Sequence, residues 1–406
     1  MGRHRLRTAL LAAALVAAAA APALTGPAVA APVPRTAVTL GAAHEPPYAA
    51  ELTKNLLAHM QRLRIPGAIV SVTTPRAGTW TTALGTRDLT TGEPIRTDDH
   101  MRVGSITKTF TGTIVLQLVQ EGRLSLDDPV AKYRKGVPNG RRITVRQLLQ
   151  MTSGLFNYSE DLGFNERLDQ DPTAEWTPEE LLDIAFRHPV YFPPGTAFHY
   201  SNTNTVLLGL IAEQLTRQPL AKLYERRIFR PLGLRDTSYH PSTTFPRPHP
   251  AGYQFISNVD SLTAPVLTGK DAAWADWSAG NPYDVTGANA SWASAAGAAV
   301  STVDDLRRWA PALATGTLLD ARTQRERLTF VPTSDAPGAP AYGLAIADIL
   351  GFIGHDGQIP GFTSFMGYDP ARRATIVVLA NLNQSPDGTA PANELTKEII
   401  AELFPS

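Results

Sequence analysis

The sequence predicts an α/β (α+β) fold in which both ends of the chain contribute to one sheet and a mostly helical region lies between them. Strand-like runs occur near the start of the chain, in "GAIVSVTT" and "TWTTALG", and return near its end, in "GFIGHDG", "TSFMGYD" and "ATIVVLANL". Between these runs, apolar residues recur at helical spacing. The simplest topology that joins these pieces is one sheet with an inserted helical region.

The N-terminal segment has the three parts of a secretory signal peptide. A start with three arginines precedes an Ala/Leu-rich stretch, and a region with Pro and Gly ends in small residues up to Ala30. We predict a signal peptide over residues 1–30, cleaved near Ala30, and a secreted protein. A membrane anchor is the alternative, but the apolar run is broken at Pro22 and is short for a span. Residues 31–45 are predicted to be a loose leader.

Composition narrows the possible functions of the chain. Lys+Arg and Asp+Glu both number 37, so the formal net charge is zero and gives no reason to expect nucleic-acid binding. The 406 residues include no cysteine, which excludes disulfides, thiol catalysis and zinc sites built on cysteine. No later apolar stretch is long enough for a membrane span. We expect a monomer without metal or cofactor, and without membrane contact after signal cleavage.

An N-terminal α/β piece is predicted over residues 46–110. Leu52, Leu56 and Met60 lie at helical spacing and predict a first helix, which the first two strand-like runs follow. From Ser105 the pattern is helical again, with apolar residues four positions apart that indicate a helix buried on one broad face.

A helical and loop-rich region is predicted over residues 111–295. Thr144 is a candidate N-cap for a helix that should stop at Gly154, and Thr177 is followed by the Pro and Glu of a capping box. Residues 240–290 are rich in Pro, Gly, Asn and Trp and are predicted to form long surface loops.

A C-terminal α/β piece is predicted over residues 296–406. Thr302 is expected to cap a helix whose first turn carries Asp304 and Asp305, since acidic side chains are favourable at a helix N-terminus. Strand-like runs follow, beginning with "AYGLAIADI", and a short amphipathic helix closes the sequence.

A serine and a lysine stand together at the start of the predicted buried helix, in "RVGSITKTF". Positions i and i+3 share one face of a helix, so Ser105 and Lys108 should be neighbours. The positive end of the helix dipole lowers the pKa of a nearby lysine, and a neutral lysine can take a proton from serine. The pair is suited to a serine nucleophile, although Ser-x-x-Lys alone also fits an N-cap serine followed by a surface lysine.

Two further segments carry groups suited to the same chemistry. Tyr200 in "FHYSNTN" can relay a proton to a leaving group, and the Asn202 amide can donate to a substrate carbonyl. His355 in "GHDGQIPGF" stands between glycines that would let a substrate backbone lie close to a strand edge. Taken alone, the first segment also fits an ordinary loop before a helix, and the second a structural histidine.

The order Ser-x-x-Lys, Tyr-x-Asn, His-x-Gly resembles the serine penicillin-recognising enzymes, which are D-alanyl-D-alanine carboxypeptidases and class C β-lactamases. Further segments, among them "LLQMTSGL", "YSNTNTVLLG" and "SWASAAGAAVSTVDDL", are similar to those of secreted actinomycete D-Ala-D-Ala carboxypeptidases, over roughly residues 50–400. The resemblance implies a β-lactamase/transpeptidase-like fold: an antiparallel sheet flanked by helices, with a mostly helical region inserted.

The resemblance also implies a role for each matching residue. The expected catalytic residues are Ser105 (nucleophile), Lys108 (general base), Tyr200 (proton relay) and His355 (electrostatic support of Tyr200). The expected substrate-binding residues are Asn202, Asp356, Gly357, Gln358 and Trp292. The backbone N–H groups of Ser105 and Gln358 would form the oxyanion hole. Trp292 would form an aromatic wall of the site, or else be a buried core tryptophan.

The sequence departs from the family pattern at two positions. Asp356 stands where the family usually has threonine, and Ala347 stands where similar carboxypeptidases have an arginine that faces the substrate carboxylate. Two anion-binding groups are therefore missing and an acid is added. Repulsion between this acid and a nearby substrate carboxylate costs at least on the order of 1 kcal/mol. This puts a substrate with a free C-terminal carboxylate in doubt and leaves the acylation chemistry untouched.

The leading prediction is a secreted serine hydrolase that acts through an acyl-enzyme, most simply a penicillin-binding D-alanyl-D-alanine carboxypeptidase acting on cell-wall peptides. The first alternative is an esterase, a D-amino-acid amidase or a β-lactamase-like hydrolase with the same machinery, in which Asp356 pairs with a substrate amine. The second alternative is a penicillin-binding protein that does not turn over. The expected partners are small peptide, β-lactam or ester substrates.

Overall fold

One antiparallel sheet built from both ends of the chain forms the centre of the protein, as the sequence predicts. The structure is a computed structural model that describes residues 45–263 and 282–405. The predicted signal peptide and nearly all of the predicted leader lie outside these residues. The described strands are β1 Gly67–Thr74, β2 Gly78–Asp88, β3 Glu93–Pro94, β4 Met101–Arg102, β5 Ser238–Tyr239, β6 Tyr253–Gln254, β7 Tyr283–Asp284, β8 Ala299–Ser301, β9 Val331–Pro332, β10 Ala341–Tyr342, β11 Ala347–Ile349, β12 Phe352–Ile359, β13 Phe362–Asp369 and β14 Ala374–Ala380.

The strand order shows how the two ends of the chain join. Among the described strands, nine form one sheet in the order β3-β2-β1-β14-β13-β12-β11-β10-β9. Strand β1 pairs with β14 in a continuous antiparallel register that begins with Ala68 opposite Ala380. A smaller sheet has the order β4-β8-β5, in which β4 contacts β13 of the main sheet and β5 contacts a helix of the helical region.

Helices cover both faces of the main sheet. The described α-helices are α1 Ala49–Leu63, α2 Thr107–Gln120, α3 Val145–Leu149, α4 Leu162–Gln170, α5 Pro178–Arg187, α6 Asn202–Thr216, α7 Leu220–Tyr224, α8 Arg230–Leu232, α9 Asn258–Thr263, α10 Ser294–Gly297, α11 Val303–Thr315, α12 Ala321–Arg327 and α13 Pro391–Leu403. Val70 and Ile376 face a core shared with α1 and α13. Their neighbours Ile69 and Val377 face a second, larger core shared with α2, α6 and α11. Because successive strand residues point to opposite faces, β1 and β14 must be apolar at nearly every central position.

The capping signals in the sequence are confirmed, but one predicted helix end is wrong. Thr144 caps α3 and Thr177 caps α5, each in a complete capping box. Helix α3 ends at Leu149 and does not continue to Gly154. Met151 takes a left-handed φ of 61°, which stops the helix early. Gly154 instead allows the backbone to pass close to a neighbouring loop.

Two other predictions from the sequence need correction. The predicted surface loops over residues 240–290 contain β6, β7 and α9, and Tyr253 is only 3% exposed, so part of this region belongs to a core. Residues 264–281 lie outside the described ones. The run "AYGLAIADI" forms two short strands, because the Gly343 N–H donates to the Ile346 carbonyl and turns the chain between them.

The fold brings the start of α2 against one edge of β12. Strand β11 pairs with β12 only as far as Gly354, and beyond it this edge of β12 meets a 3-10 turn at Gly104–Ile106. The approach is so close that a Cβ at Gly357 would lie 2.1 Å from the Val103 carbonyl oxygen. A Cβ at Gly104, where φ is +48°, would lie 2.8 Å from the Gln358 nitrogen. The juxtaposition therefore requires glycine at both positions.

We expect Gly357→Ala to destabilise the protein, because the added methyl group would collide with backbone atoms that have little room to move. Overpacking of this kind costs about 1–3 kcal/mol. Gly287→Ala is the matched control, since a Cβ there would meet nothing within 4 Å. Thermal unfolding of both variants is the measurement, and equal melting temperatures would contradict the close contact between β12 and the 3-10 turn.

Candidate active site

The predicted serine and lysine meet where the 3-10 turn runs into α2. Lys108 Nζ lies 2.9 Å from Ser105 Oγ, so the i and i+3 spacing brings the two groups together as expected. The turn's own hydrogen bonds begin with the Ile106 N–H, which donates to the Val103 carbonyl. The Ser105 N–H precedes this bond, so the turn provides no acceptor for it and it is suited to bind a ligand oxygen.

The Lys108 amine is wholly buried and has three hydrogen-bond partners. The residue is 0% exposed. Besides Ser105, its Nζ lies 2.6 Å from Asn202 Oδ1 and 2.9 Å from the Ala296 carbonyl oxygen. A charged amine has one N–H for each of these three acceptors. A neutral amine keeps two of the bonds as donor and accepts the third from the Ser105 hydroxyl, which is the arrangement a general base needs.

Burial acts in opposite directions on Lys108 and Tyr200. It lowers the pKa of the Lys108 amine well below its usual value, against a weaker opposing effect of the Asp356 charge. It raises the pKa of the Tyr200 phenol well above its usual value, and nearby Tyr342 adds to this effect. Burial therefore favours the neutral lysine, which can accept a proton, and the protonated tyrosine.

The Tyr200 hydroxyl is suited to donate a hydrogen bond to a bound ligand. The Lys108 Nζ lies over the tyrosine ring, 4.8 Å from its centroid. The hydroxyl is buried and has no hydrogen-bond partner among the described residues. Ser105 is close enough to oppose the rise in the phenol pKa, but the geometry falls short of a formed hydrogen bond. An unpaired buried hydroxyl is costly, so this donor is suited to a group that a substrate brings.

His355 is held by a tyrosine that sequence reasoning missed. Its Nδ1 lies 2.6 Å from the Asp356 carbonyl oxygen, and its Nε2 lies 3.0 Å from the Tyr342 hydroxyl. A carbonyl oxygen only accepts, so Nδ1 carries the hydrogen, and in the neutral ring Nε2 accepts from Tyr342. The His355 ring centroid is 6.1 Å from that of Tyr200, so the two rings are neighbours. Tyr342 belongs to the run "AYGLAIADI", which on sequence alone indicates only a strand.

The Asp356 carboxylate lies at the partly open edge of the site. Its side chain is 23% exposed, and its Oδ2 accepts a hydrogen bond of 2.9 Å from the Asn393 amide in α13. Its Oδ1 lies 3.4 Å from His355 Nδ1. Burial would raise the pKa of the carboxyl, but its interactions with His355 and Asn393 outweigh burial and hold that pKa below its usual value. Asn393 lies in the C-terminal helix α13 and belongs to no recognised motif, so its contact with Asp356 could not be predicted from the sequence.

The other residues predicted to bind substrate lie in different surroundings. Gly357 and the Gln358 nitrogen lie directly against the turn that carries Ser105, so the two predicted oxyanion donors belong to segments in contact. The Asn202 amide nitrogen donates to Ser159 Oγ at 3.0 Å, so in this structure the group predicted to bind substrate has an internal partner. Trp292 is half-buried beside the Phe164 ring, and its role as an aromatic wall stays a prediction.

Across the described ranges, no group of three or more His, Cys, Asp or Glu residues could hold a metal ion. The same residues include no helix that is both long and apolar enough to cross a membrane.

Comparison with known families agrees with this arrangement. The beta-lactamase family model matches residues 52–400, which is most of the chain. The chain belongs to the beta-lactamase family. The predicted family, which is one of serine hydrolases, and the β-lactamase/transpeptidase-like fold are thereby confirmed.

Two curated relatives are similar in sequence to this member of the beta-lactamase family. Protein flp of Staphylococcus aureus strain N315 is 28% identical over 348 residues, which are 82% of this chain and 63% of the relative. The chain thus spans less than two thirds of the length of that relative. Esterase EstB of Burkholderia gladioli is 31% identical over 218 residues, which are 50% of this chain and 54% of the esterase.

Solved structures of similar proteins match nearly end to end. A D-stereospecific amidohydrolase from Streptomyces sp. has a TM-score of 0.73 and 33% identity, covering 88% of this chain and 99% of the other. D-amino acid amidase from Ochrobactrum anthropi SV3, complexed with L-phenylalanine amide, has a TM-score of 0.72 and 28% identity, covering 86% and 96%.

We expect a fluorophosphonate to label Ser105 and no other serine, because among the described serines only this hydroxyl lies beside a buried amine of lowered pKa. Mass spectrometry of the labelled peptide identifies the modified residue. Ser105→Ala should abolish labelling, and an adduct on a different serine would refute the assignment of the nucleophile.

We expect the labelling rate to rise with pH through the pKa of Lys108, since only the neutral amine can take the serine proton. Because that pKa lies well below the usual 10.5, the rate should level off far below this pH. Lys108→Met should remove this acid limb, while Lys132→Met, which changes a surface lysine in an ion pair with Asp128, should leave it in place. The same acid limb in the Lys108 variant would exclude the lysine as base.

Proposed function

We propose that the chain is a serine amidohydrolase or esterase that forms an acyl-enzyme at Ser105 and releases a leaving group without a free carboxylate. The observation that carries the proposal is the negatively charged Asp356 side chain, held beside His355 by Asn393 at the edge of the site. The family membership supports the serine hydrolase chemistry, and Asp356 supports the choice of leaving group.

The proposed acylation begins with proton transfer from Ser105 to Lys108. As the serine Oγ forms its bond to the substrate carbonyl carbon, the neutral amine takes the hydroxyl proton and becomes an ammonium. The carbonyl oxygen becomes an oxyanion, which the N–H groups of Ser105 and Gln358 stabilise. Each donor of this kind commonly contributes around 3 kcal/mol to the transition state.

Collapse of the tetrahedral intermediate then needs a proton for the leaving group. Tyr200 is suited to give it, because its raised pKa keeps the phenol protonated and its hydroxyl has no described partner. The bond to the leaving group breaks as its nitrogen or oxygen receives the phenol proton, and the Lys108 ammonium returns a proton to Tyr200. Water then attacks the carbonyl carbon of the acyl-enzyme, and the same groups transfer protons in the reverse order. The ester bond to Ser105 breaks, the acid is released and the serine hydroxyl is restored.

Charge at the leaving-group side argues against a substrate with a terminal carboxylate. Asp356 stands at the family position for a carboxylate-binding threonine, and its pKa below the usual value keeps it ionised near neutral pH. At the position of the arginine, Ala347 presents only a buried methyl group. Two like charges about 4 Å apart repel by roughly 1 kcal/mol in water and about 4 kcal/mol near a protein surface. A neutral leaving group escapes this repulsion. A leaving group with a protonated amine is instead attracted by the Asp356 carboxylate.

The names of similar proteins support the same class of substrates. The structural neighbours are named as a D-stereospecific amidohydrolase and a D-amino acid amidase, and one curated relative is named as an esterase. We extend these names to this chain as a proposal for amides or esters of D-amino acids.

The D-Ala-D-Ala carboxypeptidase activity expected from the sequence resemblance stays a prediction, and the charge of Asp356 disfavours it. Penicillin binding, action on peptidoglycan, secretion and the monomeric state also stay predictions.

We expect Asp356→Thr to change substrate preference according to the charge of the leaving group. Three substrates should share one D-amino acyl group and differ only in whether the leaving group ends in a carboxylate, an amide or an amine. The variant should gain about tenfold in kcat/KM on the carboxylate substrate if roughly 1.4 kcal/mol of repulsion is relieved. It should change little on the neutral substrate and lose activity on the amine.

Asp348→Asn is the control for this experiment. The Asp348 carboxylate accepts from the Gly351 N–H in the turn between β11 and β12, so its removal should leave the order of the three substrates unchanged. If Asp356→Thr alters all three substrates equally, Asp356 does not sense the charge of the leaving group. A wild-type preference for the carboxylate substrate would favour the carboxypeptidase instead.

A further inference from the structure

A chain of hydrogen bonds leads from the carboxylate of Glu160 to the amine of Lys108. We propose that Glu160 is a positioning residue for the general base, acting through Asn157 and Asn202. This inference rests on the proposed function, in which Lys108 takes the proton of Ser105. Glu160 lies in the 3-10 turn at Tyr158–Glu160, just before α4.

The Glu160 carboxylate is surrounded by hydrogen-bond donors. Its Oε1 accepts from the Asn157 amide nitrogen at 3.1 Å, and its Oε2 accepts from the Tyr191 hydroxyl at 2.6 Å. His199 Nε2 lies 3.0 and 3.2 Å from the two oxygens. An ionised carboxylate only accepts, so each of these groups donates to it. The side chain is 16% exposed, and its partners hold it in one orientation.

This contact helps to fix the orientation of the Asn157 amide. Because its nitrogen donates to Glu160, its oxygen must face the other way. That oxygen accepts from the Asn202 backbone N–H at 3.0 Å and from the Ser159 hydroxyl at 3.0 Å. The Ser159 hydroxyl has thus given its hydrogen to Asn157, and its oxygen remains free to accept.

The Asn202 side chain is oriented by the same rule. Its amide nitrogen donates to Ser159 Oγ at 3.0 Å, so its oxygen is turned towards Lys108 Nζ, 2.6 Å away. A flipped amide would present N–H groups to the lysine amine and lose the bond that helps to hold the base. The Glu160 carboxylate and the Asn202 backbone N–H therefore favour the same orientation of the Asn157 amide, from which the other bond directions in the chain follow.

Loss of the Glu160 charge should have a specific effect on the base. If the Asn202 oxygen no longer faces the amine, the ammonium form of Lys108 loses a hydrogen-bond acceptor. A hydrogen bond to the charged form favours that form, so its loss lowers the pKa of Lys108. The acid limb of the activity should then move to lower pH, and kcat should fall because the amine is no longer held against Ser105.

The next residue in the chain provides a matched control. The Asp161 carboxylate also contacts a histidine, with 2.7 Å to His188 Nε2, and it caps α4 through the Phe164 N–H. None of its hydrogen bonds goes to Asn157 or Asn202. Asp161→Asn removes the same charge from the same loop without touching the chain of bonds to Lys108, so it separates positioning from a general effect of charge.

The test uses Glu160→Gln, Asn157→Asp and the double variant in the full-length protein. Glutamine at 160 removes the charge and one of the two oxygens that three groups share, and aspartate at 157 faces the Glu160 carboxylate, so each single change weakens the link. In the double variant the glutamine NH₂ can donate to the aspartate, whose second oxygen still accepts from the Asn202 N–H. A rescue in this variant identifies the link itself.

We expect each single variant to lower kcat on a neutral D-amino acyl ester by about tenfold or more, with little change in KM. Glu160→Gln should also shift the acid limb to lower pH, and the double variant should recover most of the lost kcat. Asp161→Asn should keep kcat and the acid limb, whatever it does to the melting temperature. Equal losses in Glu160→Gln and Asp161→Asn, or a double variant no better than the singles, would overturn the proposal.

The rate of fluorophosphonate labelling in the same variants keeps this test separate from the substrate proposal. Labelling needs only Ser105 and its base, so it should follow the same order among the variants even if no ester is hydrolysed. If Ser105→Ala hydrolyses esters as fast as the wild type, the proposed function fails. If labelling is normal in Glu160→Gln, only the positioning role fails.

Discussion

The buried amine of Lys108 is the group around which the site is organised. An amine removed from water is tolerated only where hydrogen bonds replace its hydration. Here the acceptors come from the 3-10 turn before α2, the start of α6 and the end of α10, which are far apart in sequence. The helical region and the segment before β8 must therefore pack correctly before the lysine can be accommodated. The site and the packing of the helical region depend on the same contacts.

The same low-dielectric surroundings suit two side chains to the different roles that we propose for them. Burial disfavours whichever form is charged, so it makes the lysine a weaker base than in water and the tyrosine a weaker acid. Burial alone therefore suits the lysine amine to accept a proton and the tyrosine phenol to donate one. The glycines at 104 and 357 contribute by a different route, because they let the strand edge of β12 approach the serine closely enough for backbone donors from both sides to share one space.

Local patterns allowed much of the fold and part of the site to be predicted. The pairing of Ser105 with Lys108 follows from helix geometry, and Thr144 and Thr177 cap helices because their side chains satisfy N–H groups a few residues away. Other features depend on contacts between distant segments, which spacing does not reveal. Such contacts place Asn393 against Asp356 and Tyr342 against His355. Likewise, the left-handed turn at Met151 that ends α3 early carries no local signal such as glycine.

The pairing of β1 with β14 also has a consequence for how the chain folds. The register that sets Ala68 opposite Ala380 closes a loop that contains almost every other element. Contacts of such long range make folding slow, because the entropy of closing the loop is lost before any contact across it forms. During synthesis the central strand β1 has one neighbour, β2, and must wait for the last part of the chain to provide the other. Until then, the chain exposes an apolar strand edge, so a chaperone that holds the growing chain would compete directly with the formation of the sheet.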